Sequence, residues 1–374
     1  METTEKKAGW LQRQKDSFER FRTLSGKEQR AWWINFLLNN AIIIIFILFV
    51  IYVWIYCFVT SEGRQNFLSL NSIVNLIDRT SFSIFLALGV AGVIVLTGTD
   101  LSAGRALGFI ACVSASLLQT TGLANKMWPN LSPPPVILVF LIAIVIGMLI
   151  GTFNGFFTAK FKMHPFISTL GAQMIVYGLT LMYLNMGNNG GVTISGISPS
   201  YFNAVNETGI NLFGLNIPFP FPDYVIYAVI AVAITWFMWN KTTLGKNMYA
   251  VGANPDAATV SGVSVFWTTL LLFVFAGMMY GVSGFVDAAR VGSNNASTGL
   301  GYEMNAIAAC VIGGVSFTGG VGRVRGIMIG VVLLQLVTVG LQWIGVAPYY
   351  QNIITGFIIV FAVAVDMRKY IAKK

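Results

Sequence analysis

The sequence predicts an all-α, polytopic membrane protein with about ten transmembrane helices, one of them short or broken. Three observations carry that expectation. Hydrophobic residues are 56% of the 374 and charged residues only 10%, far below the ~25% charged of soluble domains, so lipid must solvate most of the surface. Charge-free apolar runs recur at the ~20-residue length a bilayer-spanning helix needs. The basic residues then gather on alternate connections between those runs.

In order, the spans are expected at about 37–59, 76–97, 104–122, 135–158, 166–186, 223–240, 264–286, 303–317, 322–343 and 348–365. The eighth, MNAIAACVIGGVSF, is short and glycine-rich, as a half-spanning helix would be. With the N-terminus inside, every one of the 23 Lys and Arg except Arg64, Arg79, Lys126 and Arg290 falls on the inner side, as the positive-inside rule requires. The net charge of +9 is thereby a topological signal and not a nucleic-acid patch. About 35 polar and basic residues precede the first span, so it is expected to be an uncleaved anchor. Residues 1–35, with Trp10, Phe18, Phe21, Trp32 and Trp33, form either an amphipathic helix on the inner leaflet or a solvated tail. Residues 36–370 are expected to form the transmembrane domain, with an inner loop over 241–263.

That loop is the most informative stretch. KTTLGKNMYAVGANPDAATVSG (Lys241–Gly262) interrupts two apolar runs with a short, well-started helix. Asn254 suits the N-cap and Pro255 the first helical position. Asp256 places negative charge at the positive end of the helix dipole. Ala257 and Ala258 favour helix and are small, and Gly262 can end the helix in a left-handed turn. A helix over 255–261, about 10 Å long at ~1.5 Å per residue, spans nothing. Its small face suits docking on another protein.

Few groups among the spans could carry chemistry. TGTDLSAGR (Thr97–Arg105) follows span two. Asp100 or Ser102 can cap the third helix, and Arg105 lies within salt-bridge reach of Asp100. The alternative role is lining or gating a polar route. GGVSFTGGVGRVRG (Gly313–Gly326), after span eight, shares a spaced glycine pattern with it when Gly98 is set against Gly314. The neutral polar residues Asn154, Thr169, Gln173, Asn305 and Gln335 lie within spans. They either hydrogen-bond between helices, at roughly 0.6 kcal/mol each, or line a weakly polar conduit for a hydroxyl-rich solute. Gly151 and Gly155 form a small-residue pair for close packing. The outer loop, about 187–221, holds no Lys or Arg and is either a docking surface or a connector. His164, the one histidine, reads as a loop residue, and Cys57, Cys112 and Cys310 as small hydrophobes.

Other classes find no support. Gly26-Lys27 is followed by Glu28 and Gly245-Lys246 by Asn247, so neither is a phosphate-binding loop. The sequence shows no metal-ligand cluster and no nucleophile elbow. A self-driven ion-coupled carrier needs buried titratable groups, each costing about 2.5–3.5 kcal/mol on insertion scales, and the spans are nearly bare of them. If ATP drives this chain, another subunit binds it.

These residues also carry a resemblance. Asp256, Ala257, Ala258 and Gly262, in the pattern Asp-Ala-Ala-x-x-x-Gly, resemble the cytoplasmic coupling signature of ABC-importer permeases. TGTDLSAGR, NGFFTAKFKMHPFISTLGAQMIVYG, LGKNMYAVGANPDAATVSGVSV and IAACVIGGVSFTGGVGRVRG are similar to the branch that imports monosaccharides. The likeness runs from about residue 70 to 370; the N-terminal 35 residues are longer and more basic than the family's pattern. The resemblance implies a non-catalytic transport subunit in a bacterial inner membrane, both termini cytoplasmic, for a sugar of the galactose, glucose or methyl-galactoside kind. It implies a second copy of the chain, an extracytoplasmic sugar-binding protein and a cytoplasmic ATPase with two nucleotide-binding domains that holds ATP and Mg. Gly252 and Asn254 to Gly262 would engage that ATPase and move spans six and seven. Asp100, Ser102, Asn154, Thr169, Gln173, Asn305 and Gln335 are the candidates for a solute route or gate.

Overall fold

The computed structural model describes residues 25–26, 28–30, 32–33, 41–60, 67–212 and 215–371. Trp10, Phe18 and Phe21, on which the amphipathic expectation rests, lie outside them. Each expected span has one helix: α1 (Ala41–Thr60), α2 (Leu70–Val95), α3 (Ala103–Leu117), α4 (Val136–Phe161), α5 (Pro165–Leu184), then, after a short α6 (Pro199–Asn206), α7 (Tyr224–Lys241). Two small helices, α8 (Thr243–Ala253) and α9 (Pro255–Val260), lead into α10 (Val265–Val291), α11 (Tyr302–Ile312), α12 (Val324–Trp343) and α13 (Pro348–Ile371). Six of these, α2, α4, α5, α7, α10 and α12, are long and apolar enough to cross a membrane among the described residues.

Two helices are too short to cross. α11 has 11 residues, as its glycine content led one to expect. α3 has 15, about 22 Å at ~1.5 Å per residue against a ~30 Å hydrocarbon layer, although its apolar run predicts a full span. The run continues past the helix, but Gln119 bridges to Ile197 in the outer loop instead of extending α3. α2 corrects the other boundary: capped by Ser69, whose side chain accepts from the Ser72 N–H, it begins six residues early and takes Asp78 and Arg79 into the helix.

α10 is the centre of the bundle. α4 packs along it through Gly147, Gly151 and Gly155, where an added Cβ at Gly147 or Gly151 would strike the Gly277 or Phe273 carbonyl. The pair read in the sequence is therefore part of a longer seam that also uses Gly277 and Gly281. α2 runs antiparallel to α10 on another side, with Gly89 against Ala276 and Tyr280 and Gly92 against Leu272. The order long–short–long–long in α2–α5 recurs in α10–α13 with the sense reversed: α3 leads away from the α8–α9 end and α11 leads toward it. The N-termini of these short helices meet inside the bundle, where Gly104 lies against Gly299 and the Glu303 carboxyl. The counterpart of the loop before α3 is thus 292–301, and not the glycine-rich turn 313–326.

At the end opposite α8–α9, the outer loop, read as either a docking surface or a connector, is structured. Strand β1 (Ile194–Ser195) pairs antiparallel with β4 (Ser293–Asn294), and β2 (Thr208–Leu212) with β3 (Leu215–Pro222). Tyr201 of α6, fully buried, donates to the Phe285 carbonyl, and Asn206 donates to Ala289. These bonds tie the loop to the end of α10.

Candidate functional site

The capped foot forms as its sequence dictates. The Asn254 side chain accepts from the N–H groups of Asp256 (2.9 Å) and Ala257 (3.0 Å), satisfying donors a helix start leaves free. Pro255 occupies the first turn, and Gly262 at φ +83° ends it in the left-handed region. α9 is one residue shorter than expected, with Ser261 at its C-cap. The two alanines divide: Ala257 faces out, while Ala258 is buried against the bundle, so only the first offers a small outer face. Val260, which the sequence reading passed over, is 90% exposed, an apolar knob at the tip of a polar turn.

α8, also unanticipated as a separate helix, fixes the foot to the bundle. Thr242 caps it, accepting from the Gly245 N–H at 3.2 Å. At its far end Gly252 is buried so tightly that a Cβ would collide with the Val95 carbonyl of α2 and with Gly320. Gly320 in turn donates to Val95 at 2.9 Å, and Gly319 abuts Gly252 and Thr97. Three segments, the end of α2, the end of α8 and the turn after α11, thereby meet backbone to backbone. Thr97 adopts φ +63° there, uncommon for a β-branched residue. In both turns, the N–H five residues on bonds back, Gly98 to Val93 and Val315 to Cys310. The two turns thus close with the same backbone bond, Thr97 and Gly314 holding the left-handed position in each.

Four of the seven route candidates join in one buried network. Asp100 Oδ1 accepts from the Ser102 N–H (2.9 Å) and hydroxyl (2.6 Å), and Oδ2 from Tyr280 (2.9 Å). The Ser102 hydroxyl accepts from the Asn154 amide at 2.8 Å. Thr169 ties in the same loop, donating to the Thr99 carbonyl and accepting from the Leu101 N–H. Asp100, Ser102, Asn154, Thr169 and Tyr280 are all fully buried. The expected cap and ion pair both fail. Ser102 stands at the N-cap of α3 without a capping bond, because its hydroxyl is committed to Asp100. Arg105 donates to the Ala296 carbonyl at 2.8 Å and lies over the Tyr177 ring. Three donors converge on this one carboxyl, and each hydrogen bond offsets part of the cost of burying it. The network pins the loop 97–102 between α4, α5 and α10.

Asn305 and Gln335 lie elsewhere. They face a cleft of about 210 Å³ between α2, α10, α11 and α12, which also takes in Arg79 and Arg290. Gln173 is half-buried on α5 and belongs to neither site. Among the described residues no group of three potential metal ligands occurs.

The sequence that builds this glycine-packed bundle and capped foot matches a family. A family profile described as "Branched-chain amino acid transport system / permease component" covers residues 72–363. The chain belongs to this permease family. Among curated relatives of the permease, the galactose/methyl galactoside import permease protein of Escherichia coli K12 is 46% identical over 308 residues, 82% of this chain and 90% of the relative. The protein of that name in Treponema pallidum is 37% identical over 91% of this chain and 64% of its own. The ribose import permease protein of Escherichia coli K12 is 31% identical over 83% of this chain and 90% of its own. No solved structure matches the chain. The permease is accordingly an integral membrane transport subunit of the ABC-importer class, not an enzyme in its own right, and the reading as an ion-coupled carrier acting alone finds no support.

Proposed function

We propose that this permease is the membrane subunit of an ATP-driven importer for a monosaccharide, of the galactose, glucose or methyl-galactoside kind, in a bacterial cytoplasmic membrane. Sugar import is supported by relatives at 46% and 31% identity whose names specify galactosides and ribose. The coupling role rests on one observation: a capped, exposed helix, α9, fastened through Gly252 to the bundle. In this reading both termini and α8–α9 are cytoplasmic, and the β1–β4 end meets a sugar-binding protein. Two copies of the chain stand on an ATPase with two nucleotide-binding domains, which binds ATP and Mg.

The chain's own part is mechanical. α9 enters a cleft of the ATPase with Val260 and Ala257 outermost and Asp256 at its positive helix end. Movement of the foot reaches α7 and α10 along the chain. Through the backbone contacts of Gly252 it also reaches the end of α2 and the turn before α12. No slack exists at that joint, since no side chain separates the segments. The α2 end leads directly into the loop held by Asp100, so work done at the foot arrives at the brace of the two short helices.

Reconstitution tests this. Sugar uptake into liposomes is expected only with permease, ATPase and binding protein together plus ATP. Asp256→Arg or Gly262→Pro, the latter incompatible with a φ of +83°, should insert normally but hydrolyse ATP without transport. Normal uptake by either variant contradicts the coupling role. Uptake by the chain alone, driven by an ion gradient, contradicts the whole reading.

A further inference from the structure

We propose that the cleft between α2, α10, α11 and α12 is a transient binding site for the sugar itself, in the half of the bundle away from α8–α9; the inference rests on the monosaccharide reading above. Its polar wall is Arg79, Ser83, Arg290, Tyr302, Asn305 and Gln335. The rest is apolar, including Phe82, Leu86, Ala306 and Leu334. A pyranose has that same division, with hydroxyls around the rim and C–H groups on its faces. The volume, about 210 Å³, is several times the ~30 Å³ share of one water.

The state of the donors separates this cleft from an interhelical contact. Asn305 is exposed, and its amide makes no hydrogen bond among the described residues. Gln335 uses one amide hydrogen on Ser83, at 2.7 Å, leaving its carbonyl and second hydrogen. Arg79 spends Nε on Asn75, one turn back in its own helix, at 3.0 Å, leaving the outer fork. In an apolar bundle such groups are costly unless something bonds them.

Charge decides between a neutral ligand and an anion. Arg290 is paired with Asp287 at 3.3 Å and lies 4.2 Å from the Phe82 ring centroid, so its charge is balanced and its face covered. Arg79 makes no close ion pair among the described residues, but the adjacent Asp78 offsets part of its charge, and neutral amides and hydroxyls make up most of the rim. Phe82 and Tyr302 pack edge to face at 5.9 Å and hold the floor. A rim of mixed donors and acceptors on a fixed floor is what vicinal hydroxyls require. Cargo must also leave, so weak affinity is expected.

Two measurements judge the proposal. Saturation-transfer NMR on the full-length chain in nanodiscs, without binding protein, should show transfer to the ring protons of galactose, glucose or ribose. The double variant Asn305→Leu/Gln335→Leu should lose it, and inorganic phosphate should leave it unchanged. In liposomes with ATPase and binding protein, the double variant should assemble normally yet transport about tenfold more slowly, the loss of one or two hydrogen bonds, while Gln173→Leu transports normally. No transfer to wild-type chain from any of the three sugars, displacement by phosphate, or full-rate uptake by the double variant overturns the cleft. Failure of the wild-type complex to import any monosaccharide instead overturns the transport reading, and the NMR arm still judges the cleft.

Discussion

The Asp100 network and the Arg79–Gln335 cleft are both polar sites among apolar helices, yet they are built in opposite ways. In the network every residue is fully buried and, apart from the Asn154 carbonyl oxygen, which has no partner, the side-chain donors and acceptors are spent within the network. In the cleft the amide of Asn305 and the fork of Arg79 point into open space. The contrast shows that polarity within a span does not mark a route. What separates a brace from a binding place is whether the hydrogen-bonding capacity has been used up.

The comparison can be broken by substitutions ranked by their effect on stability. The seam that supports both sites sets the upper end. Gly277→Leu drives a side chain into the Gly147 carbonyl and should abolish recovery of folded protein in mild detergent, a cost beyond the ~1–3 kcal/mol of ordinary overpacking. Next comes the brace. Asp100→Leu leaves the Tyr280 and Ser102 hydroxyls and the Ser102 N–H without their acceptor and should cost about 3 kcal/mol, read as a lowered thermal midpoint in nanodiscs. Asp100→Asn retains one acceptor oxygen and should cost about half as much, with partial loss of uptake; complete loss of uptake in a fully folded Asp100→Asn protein would move the network from brace to gate.

Smaller effects sharpen the contrast. Thr97→Gly removes the left-handed penalty of ~1–2 kcal/mol but also a methyl packed on Gly319, so a net gain of up to about 1 kcal/mol is expected. A loss there would show that Thr97 anchors the joint through packing. Asn305→Leu/Gln335→Leu should change the thermal midpoint least, by the equivalent of about 0.5 kcal/mol or less. A large drop would show that the cleft amides hold helices together as the Asp100 network does.

Much of this was legible in the sequence for simple physical reasons. Apolar runs marked a helix at all ten places, and the Asn254-Pro255-Asp256 start with Gly262 marked the foot, because caps and charge-free runs are local signals. Gly151 and Gly155 pointed to close packing of α4, though not to α10 as its partner. α8 escaped because Lys246, Asn247 and Tyr249 are interleaved with small residues and blur any periodicity. α3 was drawn too long because Leu117, Leu118 and the residues after them remain apolar or neutral where the chain leaves the helix to pair with the outer loop. Tyr280 sits in an apolar run and reads as a core aromatic until Asp100, 180 residues earlier, is seen beside it. Of the cleft, Asn305 and Gln335 stand out in the sequence as polar residues within spans, but not that they share a site: Gln335 and Ser83 are 252 residues apart, and only the fold brings them together.

The central claim is that the foot, and not some other surface, receives the work of the ATPase. Cys57, Cys112 and Cys310 are all buried, so a Val260→Cys variant presents one exposed thiol among the described residues. Thiol cross-linking in the assembled complex should join Val260→Cys to the ATPase subunit in high yield, with a yield that changes when ATP is bound. A complex that transports normally while this thiol stays free for a water-soluble maleimide, in every nucleotide state, would contradict the account.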